Sequence, residues 1–173
     1  MKFLGSEYLI NNSAGIKIFK AIRQLPIVDM HNHANVVELA QNRPCRDLWQ
    51  VMGESDHYVW EAMRGAGVKE NFITGGATPH DKFTALCDIF PMLIGNPVYE
   101  WLHLDLRRIF GVELLLNRNN GEKIWQQCNA MLQTEEFLPL NLLRRMNVEL
   151  MCSTDDPVDL LQEHAKVNKT FGS

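Results

Sequence analysis

Two histidines, His31 and His33, stand one residue apart in the stretch IVDMHNHAN, at the end of a short β-favouring run that is predicted to be a buried strand. Side chains alternate across a strand, so Asp29, His31 and His33 share one face and both imidazoles can reach one point. Two neutral imidazole nitrogens placed in this way suit a divalent metal ion at about 2.0–2.1 Å. The residues alone also fit two hydrogen-bonded histidines at a strand end, because a catalytic zinc site uses three protein ligands and a water.

A second group of candidates lies in GESDHYVWEAMRGAGV, where Ser55 or Asp56 is predicted to begin a helix. His57 and Tyr58 fall in its first turn, where an imidazole and a phenol could exchange protons with a hydroxyl-rich acidic substrate. The alternative is that His57 caps the helix and Tyr58 packs against it. Arg64 has the planar fork that grips a carboxylate, although an arginine near a helix C-terminus ordinarily faces solvent.

The remaining polar and aromatic candidates have simpler interpretations. Asp155 lies just after a second strand candidate, where barrel strands present functional groups, and its neighbour Asp156 is explained as a helix cap. We expect the other helical histidines to be surface or packing residues, namely His80, His103 and His164. The tryptophans are spaced as core residues of helices: Trp49, Trp60, Trp101 and Trp125.

The elements that must position these residues are mostly helices. The segments IVDMHN and VELMC are strand candidates far apart in the chain, and capping residues followed by proline punctuate the sequence around them. Predicted helices begin at Asn12 or Ser13, at Thr78–Pro79, at Asn96–Pro97 and at Asp156–Pro157, and another runs through EKIWQQCNAML.

This order predicts a mostly α fold with two short parallel β-strands, because strands separated by helices form parallel β/α units. An N-terminal helix and the first strand occupy residues 1–35, a helical insertion occupies 36–135, and a second β/α unit occupies 136–173. The 46% hydrophobic and 22% charged composition is ordinary for a globular protein.

Composition and charge also exclude some classes of binding partner. The net charge is -4 and the basic residues are scattered, which argues against nucleic acid despite the letters HNH, and against an anionic membrane. Glu7 interrupts any N-terminal secretory signal, and no apolar run approaches the ~18 residues of a membrane span. The four cysteines form no C-x-x-C pair and are interpreted as reduced packing residues of a cytoplasmic protein.

Several collinear blocks resemble one family over nearly the whole chain, from about residue 8 onward. In order they are DMHNHA, GESDHYVWEAMRGAGV, NFITGGATPHDKF, PMLIGNPVYEWLHLDLRRIFGV, IWQQCNAML and MNVELMCSTDDPVDLLQEHA. They are similar to the N-terminal part of uronate isomerases, also called glucuronate isomerases, of the metal-dependent amidohydrolase superfamily.

The resemblance implies a (β/α)8 barrel with a helical insertion after the first strand, which ends in metal-binding residues matched by His31 and His33. It implies a divalent metal, with zinc expected, and a hexuronate substrate, D-glucuronate converted to D-fructuronate or D-galacturonate to D-tagaturonate. The family's DHY stretch at the active site falls on Asp56, His57 and Tyr58. Either proton transfer through an enediol or an internal hydride shift fits such a reaction.

The chain differs from the family that it resembles at three positions and in its length. The family commonly has a cysteine or aromatic at Asn32, a basic residue at Glu61 and an acid at Gly76, which leaves the choice of uronate open. Eight β/α units need at least ~200 residues, so the chain is expected to be an N-terminal portion that binds metal weakly and does not turn over alone. It is expected to associate with itself or with the rest of a barrel. A superfamily hydrolase and a non-catalytic helical interaction module remain alternatives.

Overall fold

The computed structural model describes residues 3–5 and 7–171. Its α-helices are α1 Ser13–Ile22, α2 Val36–Gln41, α3 Leu48–Met52, α4 His57–Gly65, α5 Pro79–Ile89, α6 Pro97–Arg108, α7 Arg118–Leu132, α8 Pro139–Arg145 and α9 Gln162–Phe171. The strands are β1 Ile27–Asn32 and β2 Val148–Ser153, and short 3-10 turns occur at Glu70–Phe72, Phe90–Leu93 and Glu135–Phe137. The prediction of a mostly helical protein with two short strands is confirmed.

The contacts divide the chain into two compact units. The first takes in the described residues of Met1–Pro44 and Glu135–Ser173, and the second is Cys45–Thr134. Helix α2 therefore belongs with the strands rather than with the other helices of the predicted 36–135 insertion. The three-part division at residues 35 and 135 stays a prediction.

Strands β1 and β2 of the first unit pair in parallel, with Val28 opposite Leu150 and Asn32 opposite Ser153. Around them α8 contacts β2, and α2 contacts both α8 and α9. The apolar residues Val28, Met30 and Leu150 are exposed, so the expectation from IVDMHN of a buried strand is wrong for the structure described. The reason is that a sheet face is buried only where another layer of secondary structure packs on it, and these side chains of the two-stranded sheet have no such cover within the described residues.

The second unit contains most of the buried apolar side chains. Helices α3 and α7 both contact α5, and among the largest fully buried side chains are Trp49, Phe83, Leu86 and Ile124. On α5 and α7 the buried residues recur at spacings of three or four, which puts them on one face of each helix as amphipathic helices require; they are Phe83, Leu86 and Cys87 on α5, and Ile124, Cys128 and Leu132 on α7. Helix α5 begins as predicted, because Thr78 accepts a hydrogen bond from the N–H of Asp81 and Pro79 occupies the first turn.

The helix predicted to begin at Asp156–Pro157 does not begin there. The Asp156 carboxylate accepts a hydrogen bond from the N–H of Val158, and the backbone forms a turn between Asp156 and Asp159. Leu161 then has φ of 52°, a left-handed conformation that breaks helical propagation. The aspartate and proline thus make a turn, and α9 starts at Gln162.

Two smaller expectations are also corrected. Cys87 and Cys128 are buried free thiols as expected, but Cys152 is exposed on β2. Of the tryptophans predicted to be core, Trp49 is fully buried whereas Trp101 is exposed. Within residues 3–5 and 7–171, no helix is both long enough and apolar enough to cross a membrane.

Candidate functional site

The two histidines of the HNH stretch converge in the first unit. His31 lies near the end of β1 and His33 follows its last residue, and their Nε2 atoms are 3.1 Å apart. The rings meet edge to face with centroids 5.0 Å apart, and both side chains are exposed. The predicted convergence of the two imidazoles on one point is therefore present.

Hydrogen bonds around Asn32 fix the backbone between the two histidines. Its Nδ2 donates to the carbonyl of Cys152 on the neighbouring strand, and its Oδ1 accepts from the N–H of Ala34. The carboxylate of Asp29 accepts a hydrogen bond from the N–H of His31. Asn32 thus ties the carboxyl end of β1 to β2, which gives this residue a structural role.

The geometry of the pair fits a shared metal ion. Nitrogen ligands about 2.0–2.1 Å from one ion, at angles between octahedral and tetrahedral, lie about 2.9–3.4 Å apart. The observed Nε2–Nε2 separation of 3.1 Å falls inside that range, and it also suits a hydrogen bond from one Nε2–H to the other ring. No cluster of three or more His, Cys, Asp or Glu arranged for a metal occurs in the described part of the chain.

His57 and Tyr58 belong to the second unit and form the first turn of α4. The cap of this helix is Asp56, whose Oδ1 accepts hydrogen bonds from the N–H groups of Tyr58 and Val59. His57 therefore does not cap the helix, and its exposed ring lies edge-on to Trp60 with centroids 4.7 Å apart. Tyr58 is 63% exposed, so it does not pack in the core either.

Arg64 engages a carboxylate of its own unit. Its Nε and Nη2 donate to the two carboxylate oxygens of Glu70 at 2.8 and 2.6 Å, a bidentate pair. The arginine, helped by a hydrogen bond from Thr74, lowers the pKa of Glu70 to about 2. The guanidinium fork is thus occupied by Glu70, and the assignment of Arg64 to substrate stays a prediction.

A cluster that the sequence did not predict lies at the carboxyl end of β2. Ser153 Oγ donates to Asp155 Oδ2 at 2.6 Å, and the Nε2 of His164 lies 2.9 Å from Ser153 Oγ and 3.1 Å from Asp155 Oδ2. Nε2–H donating to both oxygens accounts for the two distances. The buried Nδ1 of His164 has no hydrogen-bond partner in the structure as described. His164 and Asp155 therefore link α9 to the strand end.

Comparison with known proteins identifies the family. The family model described as glucuronate isomerase matches residues 1–171. A uronate isomerase of Thermotoga neapolitana is 45% identical over 169 residues, which cover 98% of this chain and 37% of that protein. A uronate isomerase of Haemophilus influenzae is 45% identical over 168 residues, covering 96% of this chain and 36% of that protein. The chain thus spans little more than a third of the length of these curated relatives.

Solved structures of similar proteins point to the same family. A crystal structure of uronate isomerase from Thermotoga maritima superposes with a TM-score of 0.94 at 43% identity, covering 99% of this chain and 38% of that one. A glucuronate isomerase from Caulobacter crescentus gives a TM-score of 0.82 at 25% identity, covering 88% of this chain and 33% of that one. With a family model matching almost every residue, the chain belongs to the uronate isomerase family, also called the glucuronate isomerases.

Proposed function

We propose that this chain carries part of the active site of a hexuronate isomerase. The reaction is an aldose–ketose isomerisation, D-glucuronate to D-fructuronate and D-galacturonate to D-tagaturonate. The observation that carries the proposal is the pair of exposed imidazoles whose Nε2 atoms lie 3.1 Å apart, in a chain of the uronate isomerase family.

We also propose that β1 and β2 are the first two strands of a (β/α)8 barrel of the amidohydrolase superfamily, in a cytoplasmic enzyme. Their parallel pairing supports this, since parallel strands require a crossover connection and barrels are built from such units. The position of His31 and His33 at the carboxyl end of β1 supports it as well, because barrel enzymes carry their active sites at that end of the strands.

His31 and His33 would hold a divalent metal ion, with zinc expected. When bound, such an ion supplies Lewis-acid polarisation of a sugar oxygen. Two protein nitrogens are one fewer than the three protein ligands of a catalytic zinc site. We therefore expect this chain to bind metal weakly by itself and not to turn over D-glucuronate.

The residues proposed to move protons in the reaction are His57 and Tyr58, in the first turn of α4. In the enediol route, the proton on the carbon next to the open-chain carbonyl leaves, a proton is added to the carbonyl carbon, and the hydroxyl proton of the neighbouring carbon passes to the former carbonyl oxygen. Tyr58 or His57 would carry this proton or orient the sugar hydroxyls, because both side chains are exposed. Arg64 would bind the uronate carboxylate only after exchanging its present partner, Glu70.

Metal titration tests the first part of the proposal. Zinc is titrated calorimetrically into the wild-type chain, the double variant His31→Ala/His33→Ala and the control His80→Ala. The control removes a different histidine, which is half-exposed and pairs with Glu122 in the second unit. We expect weak binding by the wild type and by the control, and none by the double variant. Equal binding by all three proteins would contradict the proposed site.

Product assays separate the candidate activities. D-Glucuronate and D-galacturonate are tested for ketose formation, and a set of amides and lactones is tested for hydrolysis. Ketose formation that depends on His31 and His33 would support the isomerase and overturn the expected inactivity of the isolated chain. Hydrolysis alone would select a superfamily hydrolase. Binding to a partner protein that persists in the double alanine variant, with neither reaction, would select a helical interaction module.

A further inference from the structure

The phenol of Tyr58 is presented by a well-fixed backbone. Its N–H donates to Asp56 Oδ1 at 2.8 Å, which anchors the residue in the first turn of α4. The side chain is 63% exposed and lines an open groove of about 390 Å³ together with Ala62, Met92 and Asn96. This arrangement leaves the phenol oxygen open to a ligand while the backbone beneath it is held.

The ring of Tyr58 has a contact from another helix. The indole of Trp101, on α6, meets it edge to face, with ring centroids 5.7 Å apart and planes at 82°. This is the arrangement that aromatic quadrupoles favour, so it restrains the direction of the phenol as well as its position. Helices α4 and α6 pack against each other in the same unit. This packing keeps the two rings next to each other.

Trp101 is poorly placed for a core role. It is 48% exposed, whereas Val98, Leu102 and Leu106 on the same helix are buried and form the packing stripe of α6. The indole of Trp101 lies outside this stripe, with about half of its surface in water. Its position is better explained by the side chain that it touches.

The neighbouring His57 has its own aromatic support. Its ring lies edge-on to Trp60, whose Nε1–H donates to the carbonyl of Gly53 at 2.6 Å. The indole of Trp60 is therefore anchored independently of α6. Removing Trp101 should then affect Tyr58 and leave the ring of His57 in place.

We propose that Trp101 is a positioning residue for Tyr58, holding the phenol in the direction that a hexuronate requires. The role of the phenol rests on the proposed function, and the contact between the two rings does not. Catalytic and binding groups must be held within about 0.5 Å and 10–20° of their productive geometry, and an exposed tyrosine on one helix alone has rotamer freedom that exceeds this. The indole supplies the missing restraint without using the hydroxyl.

The test uses three variants of the chain and reads the Tyr58 ring directly. The variants are Trp101→Leu, Trp101→Phe and the control Trp125→Phe, whose indole contacts His80 and Phe83 in the same unit. The chain contains three tyrosines, so ring signals from ¹³C-labelled tyrosine can be assigned with Tyr58→Phe. In Trp101→Leu, we expect the Tyr58 signals alone to lose their ring-current shift and to move toward unfolded-chain values. Trp101→Phe should retain part of the shift, and the control all of it.

D-Glucuronate is then added to each protein. We expect the Tyr58 signals of the wild type to respond, and the apparent affinity to fall about tenfold or more in Trp101→Leu, with partial rescue in Trp101→Phe. The positioning role would be overturned if the Tyr58 signals were unchanged in Trp101→Leu. It would also be overturned if those signals moved toward unfolded-chain values while the affinity for D-glucuronate stayed the same. Absence of any wild-type response to D-glucuronate would instead contradict the proposed function, while the substrate-free spectra still decide whether Trp101 holds the ring.

Discussion

At the scale of single residues, hydrogen bonding decides what each histidine does. His31 and His33 face each other through Nε2 and remain exposed. His103 is buried, and both of its nitrogens are used: Nδ1–H donates to the carbonyl of Tyr99 and Nε2 accepts from the N–H of Leu116, each at 2.8 Å. This defines one neutral tautomer of His103, and burial lowers its pKa. The same residue type is thus a candidate ligand in one place and a structural bridge in another.

His103 should make the stability of the chain depend on pH. In the unfolded chain a histidine titrates near ~6.5, and because the folded-state pKa of His103 is lower, the unfolded chain takes up a proton that the folded chain does not. Stability is therefore lost as pH falls through and below that value, with a slope of at most about 1.4 kcal/mol per pH unit. We expect His103→Gln to flatten the dependence of the free energy of unfolding on pH between 7.5 and 5.5.

The comparison must be made as a difference between variant and wild type. Asp105 titrates in the same window with the opposite sign, since desolvation raises its pKa to about 6 and so favours the folded state at lower pH. That contribution is common to both proteins and cancels. Urea unfolding at several pH values measures the difference, and parallel pH profiles for the two proteins would contradict the role of His103.

At the scale of elements, close packing of α5 against α7 organises the second unit. Gly121 on α7 is buried, and a Cβ built there would lie 2.9 Å from Sγ of Cys87 on α5. The two helices approach closely at this point because glycine has no side chain. Gly65, at the end of α4, has nothing within 4 Å of the corresponding position.

These two glycines make a matched pair of substitutions. We expect Gly121→Ala to lower the free energy of unfolding by about 1–3 kcal/mol through overpacking against Cys87. Gly65→Ala should instead be neutral or raise it by up to about 1 kcal/mol, because it restricts the unfolded chain without a clash. Urea denaturation measures both, and Cys87→Ala combined with Gly121→Ala should recover part of the loss. Equal effects of the two glycine substitutions would show that the contact is unimportant.

At the scale of the whole molecule, the two units differ in how they bury apolar surface. The second unit contains most of the large buried side chains, such as Phe83, Phe90 and Ile124. The first unit leaves apolar side chains of its sheet in solvent, with Met30 70% exposed beside Val28. Strand edges and apolar faces of this kind favour pairing with another chain.

We therefore expect the isolated chain to self-associate in a concentration-dependent way. Light scattering after gel filtration should give a mass above 19.9 kDa that rises with concentration. Met30→Lys should shift the protein toward monomer by placing a charge on the sheet face. Met92→Lys is the control, since Met92 is also 70% exposed but lies in the second unit. A monomer at every concentration, or an equal effect of the two lysines, would contradict this expectation.

Local signals in the amino-acid sequence predicted many of the helices and strands, because a cap, a first-turn proline or a run of β-favouring residues acts within a few positions. Asn12, Asp56 and Thr78 begin helices as capping residues should, and the alternation around His31 and His33 placed both imidazoles on one face. The strands' parallel pairing also followed from the order of elements. The family resemblance rested on collinear blocks, and the comparisons confirm it.

The folded structure was needed to establish contacts between residues that lie apart in the chain. It placed Asn32 against Cys152, brought His164 to Ser153 and Asp155, and set Trp101 beside Tyr58. It also showed that Asp156 and Pro157 form a turn and that Leu161 has a left-handed backbone. The sequence pattern predicted neither feature. Pairings of this kind depend on how helices and strands pack, and a sequence pattern with a period of two or 3.6 residues gives the face of an element but not its partner.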